Sequence, residues 1–576
     1  MDNKSIASVF EDMSYILDIK GDDFFRVNAY KRASLTILNL PQDLRDVVDK
    51  NPKELSTIPG IGKALAEKIT ELVLSGKCKA YEKLKKGFPM GLLEMLKIRT
   101  LGPKKVKLLY SKLKIKTIPH LKKAAEQGKI HDLEGMGEKS EKEILKAIKE
   151  YSQFSSERHL ISEAMQEAER IIDYMKQIKG IKQIEYAGSL RRAQDTIGDI
   201  DILLTVNDGR KIHQNMMEQF VTYSEVINVI AKGDTKSSVI LNSGIQVDLR
   251  VVENDSFGAA LHYFTGNKQH NIKIRDLAKK MGLKVNEYGI FKGKKKIAGK
   301  AEQEIFNTVN LPYIIPELRN GDREIDYAKK NKKFPNFLEL TDIKGDLHVH
   351  STYSDGEKSI EEMAKGAMKL GYQYIAMADH SSVIGVTQGM GSKDIKKQWK
   401  EIDSLNKKFK GKFHIYKSSE VDILKDGSLD FADDILEQMD FVIIAAHLHS
   451  RLSEKEQTNR LIAAIEHPCS SILAHPSGRL INKRPEMNFN LEKVFDACHQ
   501  NNVAIEINSN PSRLDLIDKY IKPALCKDVK FVINTDAHNV DQLDFMRYGV
   551  GIARRGWLQK KHVLNTKTFE QFDNYF

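Results

Sequence analysis

The sequence predicts a multidomain chain with three architectures in succession: an α-helical N-terminal region of helix–turn–helix hairpins, an α+β centre, and a C-terminal α/β third built like a (β/α) barrel. Three observations carry this. Glycine-containing turns recur between short amphipathic helices beside and within a lysine-rich block. A strand with paired carboxylates, GDIDILLTV (198–206), precedes a second strand bearing another aspartate. Beyond residue 340, seven apolar runs end in polar, mostly metal-binding residues.

The chain has 576 residues, 41% of them hydrophobic. That is enough for three or four domains of about 100–200 residues each. No stretch approaches the ~20 apolar residues of a bilayer span. The N-terminus, MDNKSIASVFEDM, lacks the apolar run of a secretory leader. Four scattered cysteines without CxxC spacing read as reduced thiols. The expectation is a cytoplasmic protein with no membrane partner. The net charge of +12 is uneven: residues 76–149 hold 20 Lys/Arg against 8 Asp/Glu, leaving the rest close to neutral. A basic block of this kind attracts polyanions through phosphate neutralisation.

The N-terminal region carries LSTIPGIGKALAEKI (55–69), LKIRTLGPKKVKLL (96–109) and LEGMGEKSEKEIL (133–145). A glycine turn ahead of a helix lets backbone N–H groups approach a phosphate. Gly60, Gly62, Lys63, Lys68, Gly102, Lys104, Gly135 and Gly137 are the candidate contacts to the phosphates of a nucleic-acid-like polyanion. The middle copy has Arg99-Thr100 where the first has Pro59-Gly60, although Gly102 remains.

In the centre, EYAGSLRRAQDTIGDIDILLTV (185–206) places Asp199 and Asp201 two apart on a strand, so both side chains leave one face. Asp248 in GIQVDLRVV (244–252) completes a candidate catalytic cluster of three carboxylates, which repel one another unless cations sit between them. Mg²⁺ suits such oxygen ligands together with substrate phosphates. The turn around Gly188, Ser189 and Arg192, with Gly198 before the first aspartate, offers a hydroxyl, backbone N–H groups and a guanidinium to a triphosphate.

The C-terminal third opens on GDLHVHSTYSDG (345–356), then alternates apolar strands with amphipathic helices. The strands end DLHVHST, YIAMADH, FHIYKSSE, DFVIIAAHLH, SSILAHP, VAIEINSN and VKFVINTDAH. In a parallel barrel the carboxyl ends of the strands form one rim, where active sites are built. Imidazoles with carboxylates suit Zn, Mn or Fe, and their number implies more than one ion.

On these motifs, residues 1–320 resemble the family X DNA polymerases, the group that includes DNA polymerase beta. The likeness extends through QVDLR, HYFTGNKQHNIKIR (262–275) and VNEYGIF (285–291), and the three N-terminal turns resemble helix–hairpin–helix motifs. The resemblance implies a nucleotidyltransferase palm whose Mg²⁺ or Mn²⁺ ligands are Asp199, Asp201 and Asp248. It puts Ser189 and Arg192 on the triphosphate. Tyr263, Phe264 and Gly266 would line the sugar pocket, with Asn271 and Arg275 facing the nucleotide's minor-groove edge and the template. Lys68 stands where eukaryotic repair members carry a Schiff-base lysine, but a supporting lysine expected downstream is Ala80.

Nearly all of residues 340–576 resemble the polymerase and histidinol phosphatase (PHP) domain, a distorted (β/α)7 barrel usually holding three metals. The carried-over ligands are His348, His350, Asp355, His380, Glu420, His447, His475, Asp536 and His538, for up to three Mn²⁺, Zn²⁺ or Fe ions. His449 competes with His447 for register, whereas His414 and His467 are bystanders.

The expected domains are 1–85 (helical, DNA-binding), 86–155 (helix–hairpin–helix), 156–255 (palm), 256–318 (nucleotide and template binding), 319–337 (linker) and 338–576 (PHP). The implied whole is a bacterial-type polymerase, monomeric and nucleoid-associated, that fills gapped or nicked DNA from dNTPs in base excision repair. Its rear module would be a 3′→5′ exonuclease, with cleavage at abasic sites or removal of 3′ blocks as further activities. The rival substrate for that module is a small phosphate monoester or pyrophosphate. An end-binding scaffold and a template-independent nucleotidyltransferase are the remaining alternatives.

Overall fold

The computed structural model describes residues 3–575 apart from 41–43, 45–46, 49–50, 59, 97, 99–100, 155–157, 207–209 and 383–388. Two compact units are present, Met1–Ser156 and Glu157–Phe576. Among the described residues no helix is long and apolar enough to cross a membrane.

The first unit is helical, with two apolar cores. One gathers Phe10, Leu17, Ile37, Leu55 and Ile69. The other gathers Met95, Val106, Leu121 and Ile144. Helix Asn3–Lys20 serves both, giving Leu17 to the first and Ile16 and Ile19 to the second. Because one helix feeds both cores, the two expected N-terminal domains form a single body.

The three glycine turns share one backbone pattern. The amides of Ile61, Leu101 and Met136 each donate to the carbonyl three residues back, on Ile58, Ile98 and Leu133 respectively, all at 2.9 Å. The next residue in each, Gly62, Gly102 and Gly137, accepts the first helical bond from the amide four residues on. The amide-donating residues have buried side chains that anchor each turn to its core. Gly60 and Gly135 adopt φ of +86° and +75°; their counterpart is Thr100, which with Arg99 lies outside the described residues.

In the second unit the palm is a five-stranded sheet in the order Ile181–Tyr186, Asp199–Val206, Gln246–Val251, Lys236–Leu241, Val226–Lys232. The second and third of these run parallel and the remaining neighbours antiparallel. Strand periodicity divides the faces. Ile200, Ile202 and Leu204 join a large core with helix Ile161–Lys176, whereas Leu203 packs with Ala260 and Leu261 of helix Phe257–Thr265. Asp199 and Asp201 share the parity of Leu203.

Residues 319–337 are packed rather than a linker. Arg319 is fully buried and paired with Glu302 at 2.5 Å. Helix Glu324–Lys330 buries Ile325 and Ala328 in the core that contains Phe306 and Leu311. Glu324 accepts from the Gly321 and Asp322 amides at 2.9 Å, and Phe334 and Phe337 pack on Trp557. The polar composition concealed this because buried Arg–Glu pairing does part of the work that apolar residues usually do.

The C-terminal part is a parallel barrel of seven strands, one of them broken at Ser418–Ser419 into His414–Lys417 and Glu420–Asp422. The order follows the sequence, and an isolated parallel bridge, Val349 to Ala537, links the last strand back to the first. Leu347, Tyr374, Tyr416, Ile443, Ile472, Ala504 and Val532, one from each strand, form a common core capped by Phe572.

Candidate active sites of the palm and the barrel

The palm site follows from register. Asp201 stands directly opposite Asp248 across the parallel pair, and Asp199 opposite Gln246. Burial, then the charges of Asp199 and Asp248, pushes the Asp201 carboxyl up to about 7. Asp199 is raised in the same direction by burial and by Asp248. Burial also works to raise Asp248, but hydrogen bonds from Lys236, Gln246 and Ser238 outweigh it and leave the carboxylate lowered. Lys236 sits 2.9 Å from Asp248 and Gln246 donates to it at 2.9 Å. Three carboxylates held this way carry more negative charge than their surroundings neutralise, which suits a divalent cation.

Gly188 and Ser189 begin the one-turn helix Gly188–Arg191. At Gly188 φ is +64°, and a Cβ there would lie 2.7 Å from Asp201 Oδ2, so glycine is required for the turn to lie against the carboxylate. Arg191 makes a two-pronged pair with Glu302 at 2.9 and 3.0 Å. Arg192 donates to the Thr265 carbonyl while its Nε is buried without a hydrogen-bond partner; burial lowers its pKa to about 10. Gly266 brings its backbone beside Arg192, with only 3.3 Å between a Cβ position and Nη1.

Tyr263 and Phe264 lie on the last turn of helix Phe257–Thr265 and meet edge to face at 5.1 Å. Arg250 lies 4.3 Å over the Phe264 ring. Asn271 donates to the Tyr263 carbonyl at 2.7 Å, and its Oδ1 has no hydrogen-bond partner. Arg275 is exposed on the same helix as Asn271, Lys268–Lys280. The structure thus gathers the loop, sheet and helix residues named from the sequence, with Arg275 standing apart toward solvent.

Among the described residues, the groups of three or more histidine and carboxylate side chains with donor atoms within 4.8 Å of one another all lie at the barrel rim. They are His350–Asp355–His380–His538, His348–His350–Asp536 and His380–Glu420–His447. His475 joins through Glu420 at 2.7 Å, so all nine residues named from the sequence converge. Glu420 is central, with His380 at 3.0 Å, His447 at 3.2 Å and His348 at 3.4 Å. Burial works to raise the Glu420 carboxyl, but the surrounding histidines hold it well below its usual range. The imidazole nitrogens His348 Nε2, His350 Nε2, His380 Nδ1 and His447 Nε2 are buried without hydrogen-bonding geometry. Nitrogen lone pairs beside ionised carboxylates, with no proton donor to satisfy them, fit metal coordination. His449 is exposed, which resolves the register in favour of His447.

A supporting layer escaped the sequence reading. Glu506 receives His348 Nδ1 at 2.7 Å and the His475 amide at 2.8 Å. Asp422 lies 3.2 Å from His447 Nδ1. Asp379 accepts from Ser351, Ser354 and Gln398, bracing the loop that carries Asp355. Asn508 and Arg513 both approach Asp536. The signal was the two-residue alternation in DLHVH, SSEVD and EINSN, which puts Glu420 with Asp422 and Glu506 with Asn508 on one face.

An acidic palm site joined to a histidine-rich barrel defines a nucleotidyltransferase fused to a phosphoesterase-type module. By segment, the chain matches the Helix-hairpin-helix domain over residues 1–78, the SAM-like Helix-hairpin-helix tandem over 92–150, the DNA polymerase beta palm over 161–238, the DNA polymerase beta thumb over 260–320 and the PHP domain over 346–510. It is 38% identical over 582 residues to DNA polymerase/3'-5' exonuclease PolX of Bacillus subtilis (strain 168), covering all of this chain and 99% of that protein. DNA polymerase lambda of Arabidopsis thaliana is 24% identical over 350 residues, 55% of this chain and 62% of that one. DNA polymerase lambda of Rattus norvegicus is 25% identical over 349 residues, 55% of this chain and 56% of that one. The chain belongs to the bacterial family X DNA polymerases that carry a PHP domain. Divalent metal use in both modules follows from these matches together with the rim clusters.

Proposed function

We propose that this enzyme fills short gaps in DNA by template-directed synthesis and shortens 3′ ends with its PHP module, acting in base excision repair. The observation that carries the reading is the presence, in one compact unit, of the Asp199–Asp201–Asp248 face and the three rim clusters. The nine rim residues are the ligands of up to three Mn²⁺, Zn²⁺ or Fe ions, and the palm aspartates hold Mg²⁺ or Mn²⁺. Bound there, divalent ions supply positive charge that activates a hydroxyl or water and neutralises phosphate oxygens.

The chain's own residues do the positioning. Arg192 and Ser189 hold the triphosphate, Tyr263 and Phe264 shape the ribose pocket against a 2′-hydroxyl, and Asn271 reads the nucleotide's minor-groove edge. Arg275, projecting toward solvent, meets the template. Lys63, Lys68 and Lys104, with the hairpin glycines, contact backbone phosphates and carry no sequence information. In the cell such binding places the enzyme on the nucleoid, where a monomer suffices. Cleavage at abasic sites is within the same phosphodiester chemistry.

The test compares release of nucleotides from a 3′-labelled gapped duplex with hydrolysis of p-nitrophenyl phosphate and pyrophosphate as salt rises from about 50 to about 200 mM. DNA shortening that falls steeply with salt, with negligible turnover of the small esters, supports the exonuclease reading. Salt-indifferent hydrolysis of a small ester without DNA shortening contradicts it.

A further inference from the structure

The loop from Arg192 to Gly198 ties the two ends of the palm site together, since Arg192 closes the one-turn helix and Asp199 opens the central strand. Palm partners hold it only in part. The Ile161 amide donates to the Asp195 carbonyl at 3.2 Å and the Gln194 amide donates to the Ser189 carbonyl at 3.1 Å. Its most demanding features face the PHP module. Ala193 sits at φ +49°, a left-handed conformation unfavourable for alanine. Its carbonyl accepts from Arg555, which lies at the end of helix Met546–Arg555.

The Asp195 carboxylate receives Arg555 at 2.5 Å on one oxygen and Arg479 at 2.7 Å on the other. Both arginines belong to the PHP module and are themselves fixed. Arg555 also meets Asp518 at 3.0 Å, and Arg479 Nε donates to the Arg513 carbonyl at 2.7 Å. Gly551 lies against the loop so closely that a Cβ would come within 2.8 Å of Ala193 Cβ. Further along, Asn482 donates to the Arg158 carbonyl at 2.8 Å, and Arg158 in turn donates to Thr196 Oγ1 at 2.7 Å.

We propose that Arg555 and Arg479 are positioning residues for nucleotidyl transfer, and that the PHP module completes the dNTP site by fixing Ala193–Asp195 and thereby the Arg192 guanidinium against Thr265. The inference rests on the reading of Arg192 as a triphosphate ligand. Neither arginine touches the nucleotide. Their effect passes through a short, strained loop in which a shift at Asp195 moves Arg192 three residues away.

The full-length chain is used for the test, with single-nucleotide insertion into a one-nucleotide gap measured across dNTP concentrations. Variants are Arg192→Ala, Asp195→Asn, Arg555→Met and the double Asp195→Asn/Arg555→Met. Shortening of a single-stranded 3′ end and Tm are recorded for each. Asp195→Asn and Arg555→Met are expected to raise KM for dNTP about ten-fold, with kcat within about three-fold and DNA shortening unchanged. The double variant should be impaired by less than the product of the two single effects, because both singles remove the Asp195–Arg555 contact.

Unchanged KM in Asp195→Asn and Arg555→Met, while Arg192→Ala raises it, overturns the proposal but leaves the Arg192 reading standing. Unchanged KM in Arg192→Ala overturns that reading itself. A joint fall of kcat, DNA shortening and Tm would show a merely structural role and also overturns the proposal. Should Arg555→Met fail to fold, Asp195→Asn, which keeps the shape but removes the charge and one of the two acceptor oxygens, decides.

Discussion

Replacing Gly188 with alanine tests the palm geometry at its tightest point. The new Cβ would stand 2.7 Å from Asp201 Oδ2, 0.7 Å inside the 3.4 Å at which ordinary contact begins. The Asp201 backbone is held by strand pairing on both sides, so relief falls on its carboxylate, which must turn away from Gly188. The residue must also hold φ +64°, at a cost of about 1–2 kcal/mol for a residue with a Cβ. A displacement of this size at a catalytic carboxylate lowers rates about 10²-fold. The global cost is small by comparison, a fall in Tm of no more than about 8 °C for a domain of this size. The assay is single-turnover insertion opposite a template base in a one-nucleotide gap, with shortening of a single-stranded 3′ end as the internal control. Insertion should slow about 10²-fold while shortening is unaffected. Insertion at the native rate, or an equal loss of both activities, would refute the claim that Gly188 exists to admit the Asp201 carboxylate.

In the barrel, Glu506→Gln keeps the volume of a fully buried side chain but removes the charge facing His348 and presents an amide to the donors of Asn508 and His475. DNA shortening and metal affinity should each fall about 10–100-fold, with insertion unchanged, as read by activity against added Mn²⁺. A pH effect is expected from His262, which is fully buried, with Nε2 unpaired and a pKa held well below 6.5 by burial and then by His270 and Arg319. A depressed folded pKa favours the neutral ring, so its contribution is complete above 6.5 and is lost as pH falls through the folded value. Tm measured from about pH 8 down to about pH 5 should decline, and His262→Asn should flatten that decline; an unaltered slope would assign the acid sensitivity elsewhere.

Period-two and turn chemistry were legible because each rests on a local rule. Alternation along GDIDILL fixed the shared face of Asp199 and Asp201, and strand-end histidines fixed the rim. Registers across strands were not local: QVDLR could be taken as a partner strand carrying Asp248, but its parallel register, with Asp201 opposite Asp248, came only with the structure. What escaped was polar and buried. Glu506, Asp379 and Asp422 resemble ordinary strand carboxylates until their partners are brought in from distant strands. Residues 319–337 read as a linker because Arg319 and Glu324 are charged, and only long-range pairing with Glu302 and His270 shows why they are buried. The contact between Asp195 and Arg555 spans 360 residues and carries no local signature.

The proposed function gives one chain two separable DNA chemistries. It is tested most directly with a labelled primer in a short gapped duplex with Mn²⁺, with and without dNTPs, using the wild type, Asp199→Ala and His348→Ala. The prediction is that Asp199→Ala abolishes lengthening but still shortens the primer, and His348→Ala abolishes shortening but still lengthens it. A primer that the wild type lengthens but never shortens, or loss of both activities in either variant, would contradict it.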